Sequence, residues 1–282
     1  MSGGGPLAAV GAAGHPGSVP RQNWISFLTD YGHDDVYVGV CHGVIARTAP
    51  HARIIDVCHT VPSGSIPAGA RLLAKAVPHL PVGIVLAVVD PGVGTSRRPV
   101  GVVAGDSILV GPDNGLLMPA AEALGGVRAA FELTGHEPAS ATFHGRDVFA
   151  PAAAQLALGL EPTLLGPRLD PDSLVMLPQP EVEVTSEAII GEVALVDGFG
   201  NLQTTIAGDV FDRPAGARVV LSFGGRPSIA TVGRTFADVP RGELVLYVDS
   251  AGYLAVAVNG GSAAQEVGAG LGAAITISRR PA

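Results

Sequence analysis

The residues best suited to chemistry lie in one glycine-rich segment, Gly83 to Arg98, with the sequence GIVLAVVDPGVGTSRR. Its unbroken apolar run, Ile84 to Val89, predicts a strand that is buried on both faces, as in a parallel sheet. Asp90 follows at the strand's carboxyl end, and Arg97 comes after a glycine turn. Ligands of α/β proteins bind beside such strand ends. The segment is therefore a candidate catalytic loop. The alternative is a turn capped by Asp90 and followed by solvated arginines.

Three further segments place polar side chains where predicted strands or helices meet turns. Asp30 ends the first predicted strand, His144 precedes a predicted helix, and Asp197 begins the turn DGFGN. Each is weak evidence alone, because Asp and Asn often bond local backbone in turns. A metal site made from the histidines His59 and His144 with Asp30 and Asp90 is another possibility. No closely spaced ligand motif such as HExxH or CxxC supports it, so no bound metal is expected.

The elements that must position these residues alternate through the first half of the chain. The first two predicted strands are each followed by a helical segment and a third strand comes next, and this order predicts a parallel α/β sheet with right-handed crossovers. The predicted strands are Trp24–Leu28, Arg53–Val57 and Gly83–Val89, and the helices between them span 34–47 and 65–77.

The pattern changes after a proline-rich stretch at 166–180, where short β-rich runs are divided by glycine turns. Such runs predict a small barrel or sandwich. We therefore predict an α/β N-terminal domain with a mainly parallel sheet, and a smaller all-β, barrel-like C-terminal domain. The expected boundaries are a flexible N-terminal tail at 1–23, the α/β domain at 24–170, a linker at 171–187 and the barrel domain at 188–282.

Composition narrows the classes of function. The chain has 282 residues and a formal net charge of -8, which argues against nucleic acid as a partner. No apolar run approaches the roughly 20 residues of a membrane-spanning helix, so no membrane partner is expected. The start of the chain lacks the pattern of a signal peptide, and two cysteines imply no disulfide framework. We expect a soluble, cytoplasmic protein.

Six segments, taken together, resemble the S-adenosyl-L-methionine hydroxide adenosyltransferase family, which is related to the bacterial fluorinase and chlorinase. They occur in the order LTDYG, IIDVCH, VVDPGVGTSRR, GPDNG, TFHGRDVFAP and DGFGN. The resemblance runs from about Ile25 to the C-terminus. It implies the two-domain fold predicted above, a homotrimer with sites shared between neighbouring subunits, and S-adenosyl-L-methionine as substrate. The implied reaction is hydrolysis to adenosine and L-methionine, with no cofactor.

The resemblance also implies roles for single residues. An Asp–Arg–His set that positions and activates water falls on Asp90, Arg97 and His144, and the sequence leaves open which of them accepts a proton. Asp30 matches the aspartate that grips the ribose diol. The other residues expected to bind substrate are Phe143, Asp197, Phe199, Asn201, Ser250, Asn259 and Gly260.

Two other functions remain to be weighed against hydrolysis. One is a halogenase that forms 5′-halo-5′-deoxyadenosine. In fluorinase-like proteins the segment equivalent to TFHGRD carries a tyrosine and then a halide-contacting serine, whereas His144 and Gly145 stand here. The other is a non-catalytic binder of adenosine or S-adenosyl-L-methionine, which could dispense with Arg97. The intact DPGVGTSR loop favours hydrolysis over both.

Overall fold

The computed structural model describes residues 22–135 and 138–281. The chain divides into two compact units, one ending at Met176 and the other beginning at Leu177. Almost all of the predicted tail, 1–23, lies outside the described residues. The boundaries predicted from the sequence for the tail, the linker and the two domains stay predictions.

The N-terminal unit alternates strands and helices before it turns antiparallel. The bounds of its elements are β1 Trp24–Thr29, α1 Tyr37–Thr48, β2 Arg53–Cys58, α2 Ile66–Ala76, β3 Ile84–Val88, β4 Pro99–Ala104, β5 Ser107–Pro112, α3 Met118–Ala123, β6 Val127–Glu132, α4 Ala150–Ala157 and β7 Arg168–Leu169. The sheet order is β2-β1-β3-β5-β4-β6-β7. Strands β2, β1, β3 and β5 pair in parallel, and β4, β6 and β7 pair antiparallel.

Short connections explain the antiparallel part of this sheet. Ala104 and Ser107 are paired across β4 and β5, so only Gly105 and Asp106 join the two strands. A connection of two residues permits a hairpin but no crossover to a parallel strand. The parallel strands, in contrast, are linked through α1 and α2.

Strand β3 is buried on both faces, as its apolar run predicts. Leu86 belongs to the same core cluster as Ile45 of α1 and several residues of α4. On the opposite face, a Cβ atom added to Gly69 of α2 would lie 3.0 Å from Val89, so the helix approaches the sheet closely. Helices on both faces leave no position of β3 for a polar residue.

The C-terminal unit is a closed barrel. Its elements are β8 Glu183–Val184, β9 Ala188–Val196, β10 Leu202–Ala207, β11 Arg218–Phe223, β12 Arg226–Val232, β13 Leu244–Val248, β14 Tyr253–Val258, α5 Ala263–Val267 and β15 Ala274–Pro281. The order β10-β14-β13-β12-β11-β15-β9-β8 closes because β10 also pairs with β9. Alternate residues of β11, namely Val219, Leu221 and Phe223, are buried in the barrel core.

The predicted fold class is therefore confirmed: a mainly parallel α/β unit precedes a smaller β-barrel. In the described parts of the chain, no helix has the length and apolar character needed to cross a membrane.

Candidate active site

Two predicted site residues lie at the same edge of the N-terminal sheet. Strands β1 and β3 are parallel neighbours, with Thr29 paired to Val88. Asp30 follows the first of these strands directly, and Asp90 lies two residues beyond the end of the second. The fold thus brings both carboxylates to the carboxyl ends of adjacent strands, where α/β proteins bind ligands.

Asp90, Arg97 and His144 form one connected network. Arg97 Nε donates to both carboxylate oxygens of Asp90, at 2.9 and 3.0 Å, and Nη2 donates to Oδ2 as well. The same Nη2 donates to His144 Nδ1 at 2.9 Å. The side chains of Arg97 and Asp90 are only 9% and 6% exposed. The structure therefore unites the three predicted water-handling residues, although 47 positions separate Arg97 from His144.

This arrangement fixes the tautomer of His144. A guanidinium has no hydrogen-bond acceptor, so His144 Nδ1 must accept from Arg97, and the proton of the neutral ring lies on Nε2. Burial lowers the pKa of His144, and the positive charge of Arg97 lowers it further, against the opposing effect of Asp90 and Asp147. His144 is therefore neutral at pH 7 and presents an N–H donor at Nε2.

One N–H donor of the network has no acceptor within the described parts of the chain. Arg97 Nη1 is buried and has no hydrogen-bond partner among residues 22–135 and 138–281. The Arg97 Cζ atom lies 5.1 Å from the centre of the Phe149 ring, so an aromatic face covers part of the guanidinium. An unsatisfied buried donor is costly, especially on a charged group. Nη1 is therefore the donor of this network that the described residues leave unused.

The neighbouring arginine has a structural role. Arg98 Nε donates to Asp113 Oδ2 at 2.9 Å, and Arg98 Nη2 donates to the Ser173 carbonyl at 2.6 Å. Asp113 Oδ1 accepts from the backbone N–H of Val175 at 2.8 Å. The pair ties the turn after β5 to the segment near 173–175. The idea that both arginines are solvated is thus wrong.

We expect Asp113→Ala to lower the free energy of unfolding by about 1.5–3 kcal/mol, because it leaves the charged Arg98 donors and the Val175 N–H without their acceptor. Asp106→Ala is the matched control, since Asp106 is 83% exposed and lies 3.7 Å from Arg128. Such an exposed pair contributes at most about 1 kcal/mol. Urea unfolding of both variants measures the difference. Equal destabilisation would contradict a structural role for the Arg98 pair.

The Asp30 loop is held by backbone and by His59. Asp30 Oδ2 accepts from the Gly64 N–H at 2.8 Å, where Gly64 adopts a φ of +69° that favours glycine. The His59 carbonyl accepts from Gly32 N–H at 2.7 Å. His59 Nδ1 lies 2.8 Å from Thr29 Oγ1. His59 is itself buried and holds this loop through its carbonyl and its ring.

One group among the described residues has the donor atoms for a metal ion: His42, Asp56 and His59, whose ligand atoms lie within 4.8 Å of one another. His144 is not part of it. Both histidine Nε2 atoms lie 2.9 Å from Asp56 Oδ1. If Thr29 donates to His59 Nδ1, both Nε2–H groups donate to Asp56, and every polar atom in these contacts has a partner. The contacts among these three side chains are therefore accounted for as hydrogen bonds.

Aromatic rings pack around Phe143, the residue before His144. Phe143 packs edge-on against Tyr31 and Tyr37, with ring centres 6.0 and 5.1 Å apart. Arg146 Cζ lies 5.0 Å from the centre of the Phe143 ring. Tyr31 and Tyr37 were not among the residues predicted from the sequence. Only the position of Tyr31, directly after Asp30, indicates that it belongs to the site.

In the C-terminal unit, Asp197 organises the predicted turn. Its Oδ1 accepts from the N–H groups of Phe199 and Asn201, both at 2.9 Å, and its Oδ2 accepts from Asn201 Nδ2 at 2.8 Å. Asn201 is buried, whereas Phe199 is 82% exposed. Asp197 and Asn201 thus shape the turn, and Phe199 is the side chain that the turn presents.

The other predicted residues of this unit lie in two turns, one at each end of β14. Gly260 lines a surface cleft of about 460 Å³ together with Ser262, which also packs against Gly200 of the Asp197 turn. Asn259 Nδ2 donates to the Val239 carbonyl at 2.8 Å. Ser250 is exposed in the turn between β13 and β14.

The sequence analysis missed an aromatic pair in this unit. The rings of Phe236 and Tyr247 are 5.5 Å apart and edge-on. Burial raises the pKa of Tyr247, and the nearby carboxylates of Asp197 and Asp249 raise it further.

Known proteins resemble this chain over most of its length. Profiles of the SAM hydroxide adenosyltransferase N-terminal and C-terminal domains match residues 25–166 and 191–276. A protein of Salinispora tropica named (R)-S-adenosyl-L-methionine hydrolase is 52% identical over 250 residues, which cover 87% of this chain and 94% of that protein. A fluorinase of Nocardia brasiliensis is 28% identical over 279 residues, covering 86% and 93%.

A solved structure gives the same result. A conserved protein of Thermotoga maritima matches with a TM-score of 0.84 and 40% identity, covering 90% of this chain and all of that one. The resemblance predicted from the six sequence segments is confirmed by two profile matches and by relatives above 50% identity. The chain therefore belongs to the SAM hydroxide adenosyltransferase family.

Proposed function

We propose that this protein hydrolyses S-adenosyl-L-methionine to adenosine and L-methionine. The observation that carries the proposal is the buried Arg97 Nη1, which lacks a partner within the described residues and lies in the Asp90–Arg97–His144 network. The relative from Salinispora tropica bears the name of a hydrolase of this substrate. The fluorinase relative is much less similar, at 28% identity.

The substrate suits a site without a metal. Its sulfonium sulfur is already positively charged, so methionine leaves as a neutral thioether. A water oxygen forms a bond to the ribose 5′ carbon, the bond from that carbon to sulfur breaks, and sulfur takes the electron pair. The proton that the water loses passes to the solvent, which leaves hydroxide to form the new bond and completes adenosine. The protein must therefore hold an oxygen nucleophile in line and favour its deprotonated form, and the reaction needs no cofactor.

Each member of the network has its own part in this step. Arg97 offers Nη1 to the oxygen, and its fixed positive charge favours the hydroxide form. Asp90 holds the guanidinium through two oxygens, which fixes its plane. His144 donates from Nε2 as long as Nδ1 accepts from Arg97. Arg97 and His144 thus supply the donors to the nucleophile while Asp90 only accepts from Arg97, and His144 could serve as a base only after giving up its bond to Arg97.

The remaining predicted residues bind the substrate in this proposal. Asp30 grips the ribose diol, and Phe143, with the rings of Tyr31 and Tyr37 against it, contacts the substrate beside Asp30. In the C-terminal unit, the turns that carry Phe199, Ser250 and Gly260 contact the methionine and adenine parts, while Asp197, Asn201 and Asn259 hold those turns in shape. Two free cysteines suit the reducing cytoplasm, where we place the protein.

The direct test is to incubate the purified protein with S-adenosyl-L-methionine and to separate the products by chromatography. We expect adenosine and methionine in equal amounts, and far less of both with His144→Ala. Repeating the reaction in chloride and in fluoride identifies the nucleophile. A 5′-halogenated nucleoside as the main product, or substrate binding without any product, would overturn the proposal.

We further propose a homotrimer in which a neighbouring subunit's C-terminal unit completes each site. Support comes from Phe199, a large apolar side chain that its own unit leaves 82% exposed. Asp30→Ala and Phe199→Ala proteins, each poorly active, are dissociated, mixed and reassociated. We expect the mixture to recover activity at about a quarter of its sites, because random pairing reunites one intact partner of each kind. A mixture no more active than its components, or a monomer by light scattering, would contradict shared sites.

A further inference from the structure

Gly145 lies directly after His144, at the start of the π-helical turn Gly145–Phe149 that leads into α4. Its φ is not in the positive range, so the backbone at this position does not require glycine. Space does. A Cβ atom added to Gly145 would overlap the hydroxyl oxygen of Tyr31, and it would lie 3.1 and 3.3 Å from the ring carbons Cζ and Cε2.

Tyr31 touches the chain on both sides of His144. Its hydroxyl lies against Gly145, and its ring packs edge-on against Phe143 with centres 6.0 Å apart. Tyr31 is also the residue after Asp30, at the carboxyl end of β1. One side chain thus connects the Asp30 loop with the turn that carries His144.

The phenol remains uncharged in this position. Burial raises the pKa of Tyr31, and the Cys41 thiol and the carboxylates of Asp30 and Asp90 raise it further, against a smaller effect of Arg97. An ionised phenol would compete with Asp90 for the guanidinium. The neutral phenol leaves the bond from Arg97 to His144 intact.

We infer that Tyr31 is a positioning residue for His144: its phenol, lying against Gly145, sets the distance of the His144 turn from Arg97 and makes glycine obligatory at position 145. The inference rests on the proposed hydrolysis for its kinetic readout. It assigns to Tyr31 no contact with the reacting atoms. Its effect passes through the backbone of residues 143–145.

The first variant is Gly145→Ala. The added methyl group must push Tyr31 and the His144 turn apart, and a displacement on the order of 1 Å at a catalytic group can cost up to about 10²-fold in rate. We expect kcat to fall by about 10- to 100-fold, with KM changed by less than about threefold. Gly43→Ala is the control, since a Cβ at Gly43 of α1 meets nothing within 4 Å and should leave kcat as it is.

The second variant is the double substitution Tyr31→Phe/Gly145→Ala. It removes the oxygen that the new methyl group would overlap, and the ring carbons at 3.1 and 3.3 Å need to move by only a few tenths of an ångström. Tyr31→Phe alone should lower kcat modestly, by about two- to fivefold. We expect the double variant to return to about the kcat of Tyr31→Phe alone, which is a strongly non-additive cycle.

The pH profile separates positioning from a general loss of structure. Arg97, Asp90 and Asp147 are the charged groups that act on His144. If Gly145→Ala moves His144 away from Arg97, the acidic limb of the kcat profile shifts to higher pH, and the double variant returns it. Full activity of Gly145→Ala, or a double variant as slow as Gly145→Ala at an unchanged melting temperature, would overturn the inference. An inactive wild-type protein would instead refute the proposed function.

Discussion

Arg97→Ala is expected to lower kcat by about 10³-fold while KM changes little. Removing one donor that stabilises developing charge typically costs about 10²–10³-fold. Arg97 supplies the unpaired Nη1 donor and also holds His144 through Nη2, so its loss removes two contributions at once. Asp90 would then be left as a buried carboxylate without its partner. Steady-state kinetics at pH 7.5 measures the effect.

The matched variant Arg97→Lys shows which property of the guanidinium matters. Lysine keeps the charge, but it cannot reach Asp90, His144 and the nucleophile at once, because it lacks the planar fork. We expect the kcat of Arg97→Lys to exceed that of Arg97→Ala by less than about tenfold. Near-normal turnover would mean that charge alone suffices.

Asp30→Asn is the contrasting variant, because Asp30 takes no part in the network. It should raise KM more than it lowers kcat, since a hydrogen bond to a charged acceptor is worth about 1.5–3 kcal/mol in binding. If the two variants show the same ratio of the change in KM to the change in kcat, then Arg97 does not act on the nucleophile and Asp30 on the substrate as proposed.

The sequence predicts much of this site because periodicity predicts parallel strands. An apolar run without alternation places Asp90 at the end of a central strand, and Asp30 follows another strand of the same kind. Parallel pairing then brings the two carboxylates to one edge. The barrel is predictable for a similar reason, since short β-rich runs separated by glycines have few other ways to bury their apolar faces.

Contacts between distant segments could not be predicted in this way. Arg97 and Arg98 are adjacent and look alike in the sequence, yet Arg97 joins Asp90 to His144 and Arg98 anchors Asp113. The distinction depends on which direction each side chain takes from the turn. The need for glycine at position 145 is equally hidden, because it arises from the hydroxyl of Tyr31, more than a hundred residues away in the chain.

His144→Gln is expected to remove the acidic limb of the pH profile, as well as most of the activity. Only the neutral imidazole can accept from Arg97, so protonation of His144 must break that bond. Because burial and Arg97 lower the pKa of His144 from its ordinary value of 6.5, the neutral form persists below pH 6.5. The kcat of the wild-type protein should therefore stay level above about pH 6.5 and fall as the pH drops through the lowered pKa.

Glutamine is the informative replacement, because its amide oxygen can accept from Arg97 and its NH₂ group can donate as Nε2–H does, without titrating. We expect His144→Gln to keep more activity than His144→Ala, which should lose about 10²–10³-fold, and to show no acidic limb between pH 5 and 7. A limb that persists unchanged in His144→Gln would assign the titration to another group. A wild-type limb centred above pH 6.5 would contradict a neutral His144 held by Arg97, because an acceptor facing a fixed cation cannot gain a proton more readily than free imidazole.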